Sequence, residues 1–133
     1  MEILLVEDEP GDVRLIIEAL KEARFKYKLC PVSDGEAAMD YLLRRNKYAG
    51  VHAPDMIMLD LNLPKKNGAE ILKEIKGNPE LKHIPVVILT TSNASDDIVN
   101  TYKLQANSYI AKPFEIDNFN KIVHSLENYW LFL

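Results

Sequence analysis

The feature that most constrains the fold is an alternation. Five short apolar runs, Ile3–Val6, Tyr27–Val32, Met56–Leu59, Pro85–Leu89 and Ser108–Ala111, are separated by longer stretches whose apolar residues recur at helical spacing. Several of the runs are apolar almost without interruption. A strand with one wet face alternates, whereas a near-continuous run suits a strand covered on both faces. Between the runs, Val13, Ile16, Ile17 and Leu20 fall on one helical face. So do Ala38, Tyr41 and Leu42, then Ile71, Leu72 and Ile75, then Ile98 and Tyr102, and finally Phe119, Ile122, Val123 and Leu126. Ser33 with Glu36 has capping-box spacing, Asn67 with Glu70 resembles it, and Gly77-Asn78-Pro79 reads as a helix stop. Strand and helix thus alternate five times. That predicts right-handed βαβ units and an α/β fold: a doubly wound, five-stranded parallel sheet with five helices.

Composition narrows the function classes. At 133 residues the chain is one ordinary domain with room for one sizeable core, and 47% apolar with 27% charged residues is a globular mix. A formal charge of −4 argues against a dedicated nucleic-acid surface, which needs a basic stripe to neutralise phosphates. The single cysteine, Cys30, allows no internal disulfide and reads as a small core residue in a reducing compartment. The start lacks the features of a signal peptide, and no apolar run approaches the roughly 20 residues that span a bilayer. The expectation is a cytoplasmic protein. With no repeat or linker, and with the chain ending soon after the fifth helical stretch, residues 1–133 read as a single domain without an output domain.

Open parallel sheets place ligands at the carboxyl ends of their strands, near the switch in strand order. The residues just past each run are therefore informative. Glu7, Asp8 and Glu9 come after the first, Asp60 ends the third, Thr90, Thr91 and Ser92 come after the fourth, and Lys112-Pro113 after the fifth. Carboxylates gathered on one rim repel one another unless a cation joins them or they take up protons. Hard oxygen ligands with room for water suit Mg²⁺ or Mn²⁺. Lys112 offsets part of the charge and could pair with an oxygen of a phosphoryl group, to which Thr90 could donate a hydrogen bond. A carboxylate is a competent nucleophile toward phosphorus, and a metal bridging it to a phosphoryl oxygen aligns the two. The main-chain oxygen of Asn62 could complete the metal shell.

Taken together, Val6-Glu7-Asp8-Glu9, Leu59-Asp60-Leu61-Asn62-Leu63-Pro64…Gly68, Pro85-Val86-Val87-Ile88-Leu89-Thr90 and Tyr109-Ile110-Ala111-Lys112-Pro113-Phe114 resemble a bacterial response-regulator receiver domain of the CheY-like type over essentially the whole chain. The resemblance implies a flavodoxin-like fold and a two-component phosphorelay role. Asp60 would be the phosphoacceptor, receiving a phosphoryl group from a sensor histidine kinase. Glu7 and Asp8 would bind Mg²⁺ with Asp60 and the Asn62 main chain, Thr90 and Lys112 would contact the phosphoryl group, and Lys112-Pro113 would be a cis peptide. Tyr109 would turn inward as Thr90 moves, and partner binding would change with it. Such a protein is a signalling phosphoacceptor that assists its own phosphorylation and dephosphorylation, not an enzyme with a separate substrate. Asn62 and Ser92 would line the path of the attacking water. The stretch Leu61–Gly68, the Thr90-Thr91-Ser92 run, the extended Asn46–Pro54 loop and the Tyr129-Trp130 ending further resemble single-domain regulators paired with bacterial phytochrome kinases.

Each residue alone has a plainer reading. Glu7-Asp8-Glu9 could be an acidic helix start, Asp60 a turn residue, Thr90 a strand end, Tyr109 a packed aromatic and Lys112 a solvated lysine. Arg44-Arg45 and Lys65-Lys66 read as solvated charges, and His52, His83 and His124 lack metal-ligand spacing. Other functions remain in view. An aspartyl phosphohydrolase usually carries a second acid two residues past its nucleophile, where this chain has Asn62. A flavin or nucleotide module needs a phosphate loop where Glu7-Asp8-Glu9 stands. A partner-binding scaffold without phosphorylation is the remaining alternative. The apolar Tyr129–Leu133 end either packs on its own domain or forms a homodimer or kinase contact.

Overall fold

The computed structural model describes residues 1–21, 26–61, 63, 68–90, 108–111 and 124. Among the described residues the elements are, in chain order, β1 (Glu2–Val6), α1 (Pro10–Leu20), β2 (Lys28–Val32), α2 (Gly35–Leu42), β3 (Met56–Asp60), α3 (Gly68–Gly77), β4 (Val86–Thr90) and β5 (Ser108–Ala111), with a 3-10 turn at Asn46–Tyr48. All four strand pairings are parallel and the sheet order is β2-β1-β3-β4-β5. From β1 the chain winds first to β2 and then, beyond β1 on the other side, to β3, β4 and β5. The order therefore reverses between β1 and β3, which opens a crevice at their carboxyl ends. The expected flavodoxin-like doubly wound parallel sheet is the observed one. The fourth helical stretch, the fifth apart from His124, and the Tyr129–Leu133 end lie outside the described residues.

Alternate residues of β1, β3 and β4 feed two cores. Leu4, Val6, Ile57, Leu59, Val86 and Ile88 pack with Ala38 and Leu42 of α2 and Ile71, Leu72 and Ile75 of α3. On the opposite face Ile3, Leu5, Met56, Met58, Val87 and Leu89 pack with Ile16 and Leu20 of α1. Each fully buried aliphatic side chain of this kind contributes about 2 kcal/mol. Every residue of β3 is buried. That coverage is what allows a polar residue at the end of β3 to be held rigidly.

Double coverage holds for the central strands but not for β2, where Lys28 and Pro31 are exposed. The reason is position: β2 is the sheet edge, and Pro31, lacking an N–H, is tolerated there. Cys30, expected in the core, is only partly buried and packs against its margin. The start of α2 also differs from the capping-box expectation by one residue. The cap is Asp34, not Ser33, and its carboxylate accepts from the Ala37 amide at 2.8 Å. A charged acceptor at a helix start gains from the helix dipole as well as from the hydrogen bond, so it displaces the neighbouring hydroxyl. The expected stop agrees, with α3 ending at Gly77 before Asn78-Pro79, whereas Asn67 lies outside the described residues.

Candidate functional site

The site begins where β1 runs out. The Glu7 amide donates to Val32 O at 3.0 Å, extending the β1–β2 ladder one step beyond the strand. This holds the Glu7 backbone against the sheet, and its side chain is only 2% exposed. Glu7 Oε1 accepts from the Glu9 amide at 3.1 Å, which fixes the turn into α1. Glu9 is spent locally. It has extended backbone angles, its carboxylate accepts from the Gly11 amide at 3.2 Å, and its carbonyl accepts the first helical bond from Val13 at 3.1 Å. Pro10 comes next at the first helical position, where its missing N–H costs nothing. Of the three successive acids, one caps the helix, one is buried at the strand end, and Asp8 between them is exposed.

Asp60 is the last residue of β3 and is 1% exposed. It lies opposite Leu89 in the register with β4, and the Leu61 amide donates to Leu89 O at 3.0 Å. The chain then returns so closely that the Gly68 amide donates to Leu61 O at 3.1 Å. A Cβ at Gly68 would collide with Asp60 O and sit 2.6 Å from Leu61 Cα. Only glycine allows the start of α3 to press on the backbone that carries Asp60.

These two strand ends bring Glu7, Asp8 and Asp60 together, with one carboxylate oxygen from each lying within 4.8 Å of the others. Two of the three are buried, where the mutual repulsion of like charges is least screened. The arrangement is one that a small divalent cation would stabilise. The donor set, three carboxylates with neither sulfur nor imidazole, fits Mg²⁺ or Mn²⁺ and not a soft metal.

The remaining expected site residues divide in two. The backbone of Thr90 ends β4 and lies opposite Ala111, while Tyr109 lies opposite Ile88. Both strands therefore deliver residues to the rim that holds Asp60. Asn62, Ser92, Lys112 and Pro113 lie outside the described residues. A cleft beside these acids was not anticipated. Val32, Ser33 and Asp34, with Lys47 and Tyr48, line a cleft together with Glu7 and Asp8. The lysine belongs to a loop far along the chain, and no spacing in the sequence indicates that it folds back to this place.

A family model described as the response regulator receiver domain matches residues 3–124. Response regulator Rcp1 of Synechocystis sp. is 46% identical over 129 residues, covering 97% of this chain and 88% of that protein. The crystal structure of the Mn(2+)-bound form of Rcp1 superposes with a TM-score of 0.87 over 98% of this chain and 94% of the other, at 46% identity. That of the phosphorylated cyanobacterial phytochrome response regulator RcpA gives 0.87 over 98% and 93%, at 48% identity.

Proposed function

We propose that this chain, which belongs to the response regulator receiver domain family, accepts a phosphoryl group on Asp60 from the phosphohistidine of a sensor kinase. The observation that carries the reading is the convergence of a nearly buried Asp60 with Glu7 and Asp8 at the reversal of strand order. Asp60 supplies the attacking carboxylate oxygen. A new P–O bond forms as the P–N bond to the donor imidazole breaks, and the imidazole leaves with the electron pair and takes up a proton. Burial removes water that would compete for the phosphorus, and the fixed end of β3 sets the line of attack. Glu7, Asp8 and the main-chain oxygen of Asn62 would complete a Mg²⁺ site with Asp60. Bound there, the cation supplies charge neutralisation for the carboxylates and the transferring group. Thr90 and Lys112 would hold the phosphoryl oxygens, and Tyr109 would move with Thr90 in the switch.

The similarity to a phytochrome response regulator supports a phytochrome-type kinase as the donor. Among the described residues no helix is long and apolar enough to cross a membrane, and we place the protein in the cytoplasm, where such kinases present their phosphohistidine. The intact mass after incubation with acetyl phosphate and Mg²⁺ tests the reading. A gain of one phosphoryl mass is expected, absent without Mg²⁺ and absent in Asp60→Asn. A gain that persists in Asp60→Asn would place the acceptor elsewhere.

A further inference from the structure

A carboxylate binds a metal ion well only when its oxygens are already held where the ion will sit. For the buried Glu7 that task falls on the turn into α1. Its Oε1 accepts from the Glu9 amide at 3.1 Å. A bond to one oxygen restricts the rotation of the carboxylate, and so places the other oxygen too. The amide holds Glu7 only as firmly as it is held itself. The Glu9 carboxylate folds back along its own turn and accepts from the Gly11 amide at 3.2 Å, while the Glu9 carbonyl accepts from the Val13 amide at 3.1 Å. Pro10, between them, has its own φ locked. On the other side the Glu7 amide is pinned to Val32 O at 3.0 Å. The segment from Glu7 to Glu9 is thus clamped by the sheet at one end and by a helix start at the other. Glu9 itself is exposed, and the carboxylates within 4.8 Å of one another are those of Glu7, Asp8 and Asp60.

We propose that Glu9 is a positioning residue for the divalent cation: the bond from the Gly11 amide to its carboxylate sets the Mg²⁺ affinity of Glu7, Asp8 and Asp60. The inference rests on those three acids being the metal site of the proposed phosphoryl transfer. Without the cap bond the Glu9 backbone gains freedom, and its amide no longer points in one direction. Glu7 Oε1 then loses a fixed partner. Repulsion from Asp8 and Asp60 turns the Glu7 carboxylate away from them when no ion is present. An arriving ion must restore the arrangement as it binds, and that ordering lowers its affinity. The charge of Glu9 is a weaker influence, because an exposed carboxylate is screened by water and salt. The hydrogen bond, not the charge, is what the site requires of this residue.

The experiment titrates Mg²⁺ into the metal-free chain by calorimetry and follows thermal unfolding in EDTA, which shows that each chain is folded at the titration temperature. The chains are the wild type, Glu9→Ala, Glu9→Gly, Glu9→Gln and Asp55→Asn. Glu9→Ala and Glu9→Gly both remove the acceptor, and glycine does so at little cost to a helix start, so one of the two remains informative if the other folds poorly. Each is expected to raise the Mg²⁺ dissociation constant about tenfold, the low end of what losing a partner of a metal ligand does. Glu9→Gln keeps an oxygen for the Gly11 amide but drops the charge, and is expected to stay within about twofold of wild type. Asp55→Asn weakens the acceptor of the Glu2 amide at the opposite end of the sheet. It is expected to unfold earlier in EDTA with an unchanged dissociation constant, which separates positioning from stability. Wild-type affinity in Glu9→Ala and Glu9→Gly would overturn the proposal. So would an equal loss in Glu9→Gln, since the charge would then be the cause. If the wild type binds no Mg²⁺, the metal reading itself falls and this inference falls with it. Wild-type binding that ignores every change at Glu9 removes the inference alone.

Discussion

The two ends of the sheet treat charge in opposite ways. At the amino end, charged groups are matched to backbone. The Glu2 amide donates to Asp55 Oδ2 at 2.7 Å, and the Asp55 amide returns a bond to Glu2 O at 2.8 Å, tying the start of β1 to the approach to β3. Lys76, half-buried near the end of α3, donates to Lys82 O and Ile84 O at 3.2 Å each, closing the path into β4. At the carboxyl end three carboxylates face one another instead. Charged residues that are matched to backbone below are set against one another above. The amino end lowers the free energy of the folded chain by itself, whereas the carboxyl end is stabilised most when a cation is bound.

The largest expected effect would break the carboxyl end by sterics alone. Gly68→Ala gains about 1 kcal/mol of helix propensity at the start of α3. Its Cβ, however, meets the Asp60 and Leu61 backbone well inside contact distance. Backbone cannot yield as a flexible side chain does, so a net loss of about 2–4 kcal/mol in urea unfolding is expected, with weakened Mg²⁺ binding. A chain as stable as wild type would mean that the β3–α3 turn is not set by this contact.

A pair of substitutions with opposed signs sharpens the contrast. Mg²⁺ at about a hundred times its dissociation constant should stabilise the wild type by about 2.7 kcal/mol. Asp8→Asn, which removes one of the facing charges, should leave the metal-free chain as stable as wild type or more so, and should lose most of that Mg²⁺ gain. Asp55→Asn should cost about 1 kcal/mol, the same with and without Mg²⁺, because it weakens an acceptor for the Glu2 amide. Thermal unfolding with Mg²⁺ or EDTA reads both. The same Mg²⁺ response in the two variants would dissolve the distinction between the ends.

The smallest effect is one of pH at the amino end. Burial lowers the Lys76 pKa below the ordinary 10.5. Between its folded value and 10.5 the unfolded chain binds more protons, so this group's contribution to stability rises with pH across that window. Lys76→Met removes the titration. Urea unfolding between about pH 8 and the ordinary lysine pKa should therefore show the wild type gaining on the variant as pH rises. A constant difference would mean that the ammonium loses nothing by its burial.

Much of this was legible in the residues. The near-continuous runs of β1 and β3 and the helical spacing of Ile16 and Leu20, or of Ile71, Leu72 and Ile75, leave few alternatives to a covered parallel sheet. Such a sheet places Glu7, Asp8 and Asp60 on one rim. The edge position of β2 was less legible, because Leu29, Cys30 and Val32 give it an apolar character similar to that of a central strand. Ser33 and Asp34 are both good caps, and local pattern could not choose between them. Lys47 was illegible, since its place depends on two left-handed residues and their bonds to Asp40, a conformation that Arg44 and Asn46 do not announce.

By itself the sequence determined the order of strands and helices, the strand ends on which the acids fall and the family, because periodicity and motif are local properties of the chain. Tertiary structure decided which acids meet and which cap. Glu7 and Glu9 are near neighbours and chemically alike, yet one faces Asp60 while the other serves its own helix. That choice depends on the sheet register and the close approach of α3. The register brings Glu7 and Asp60 together from distant parts of the chain, through packing that no local pattern records.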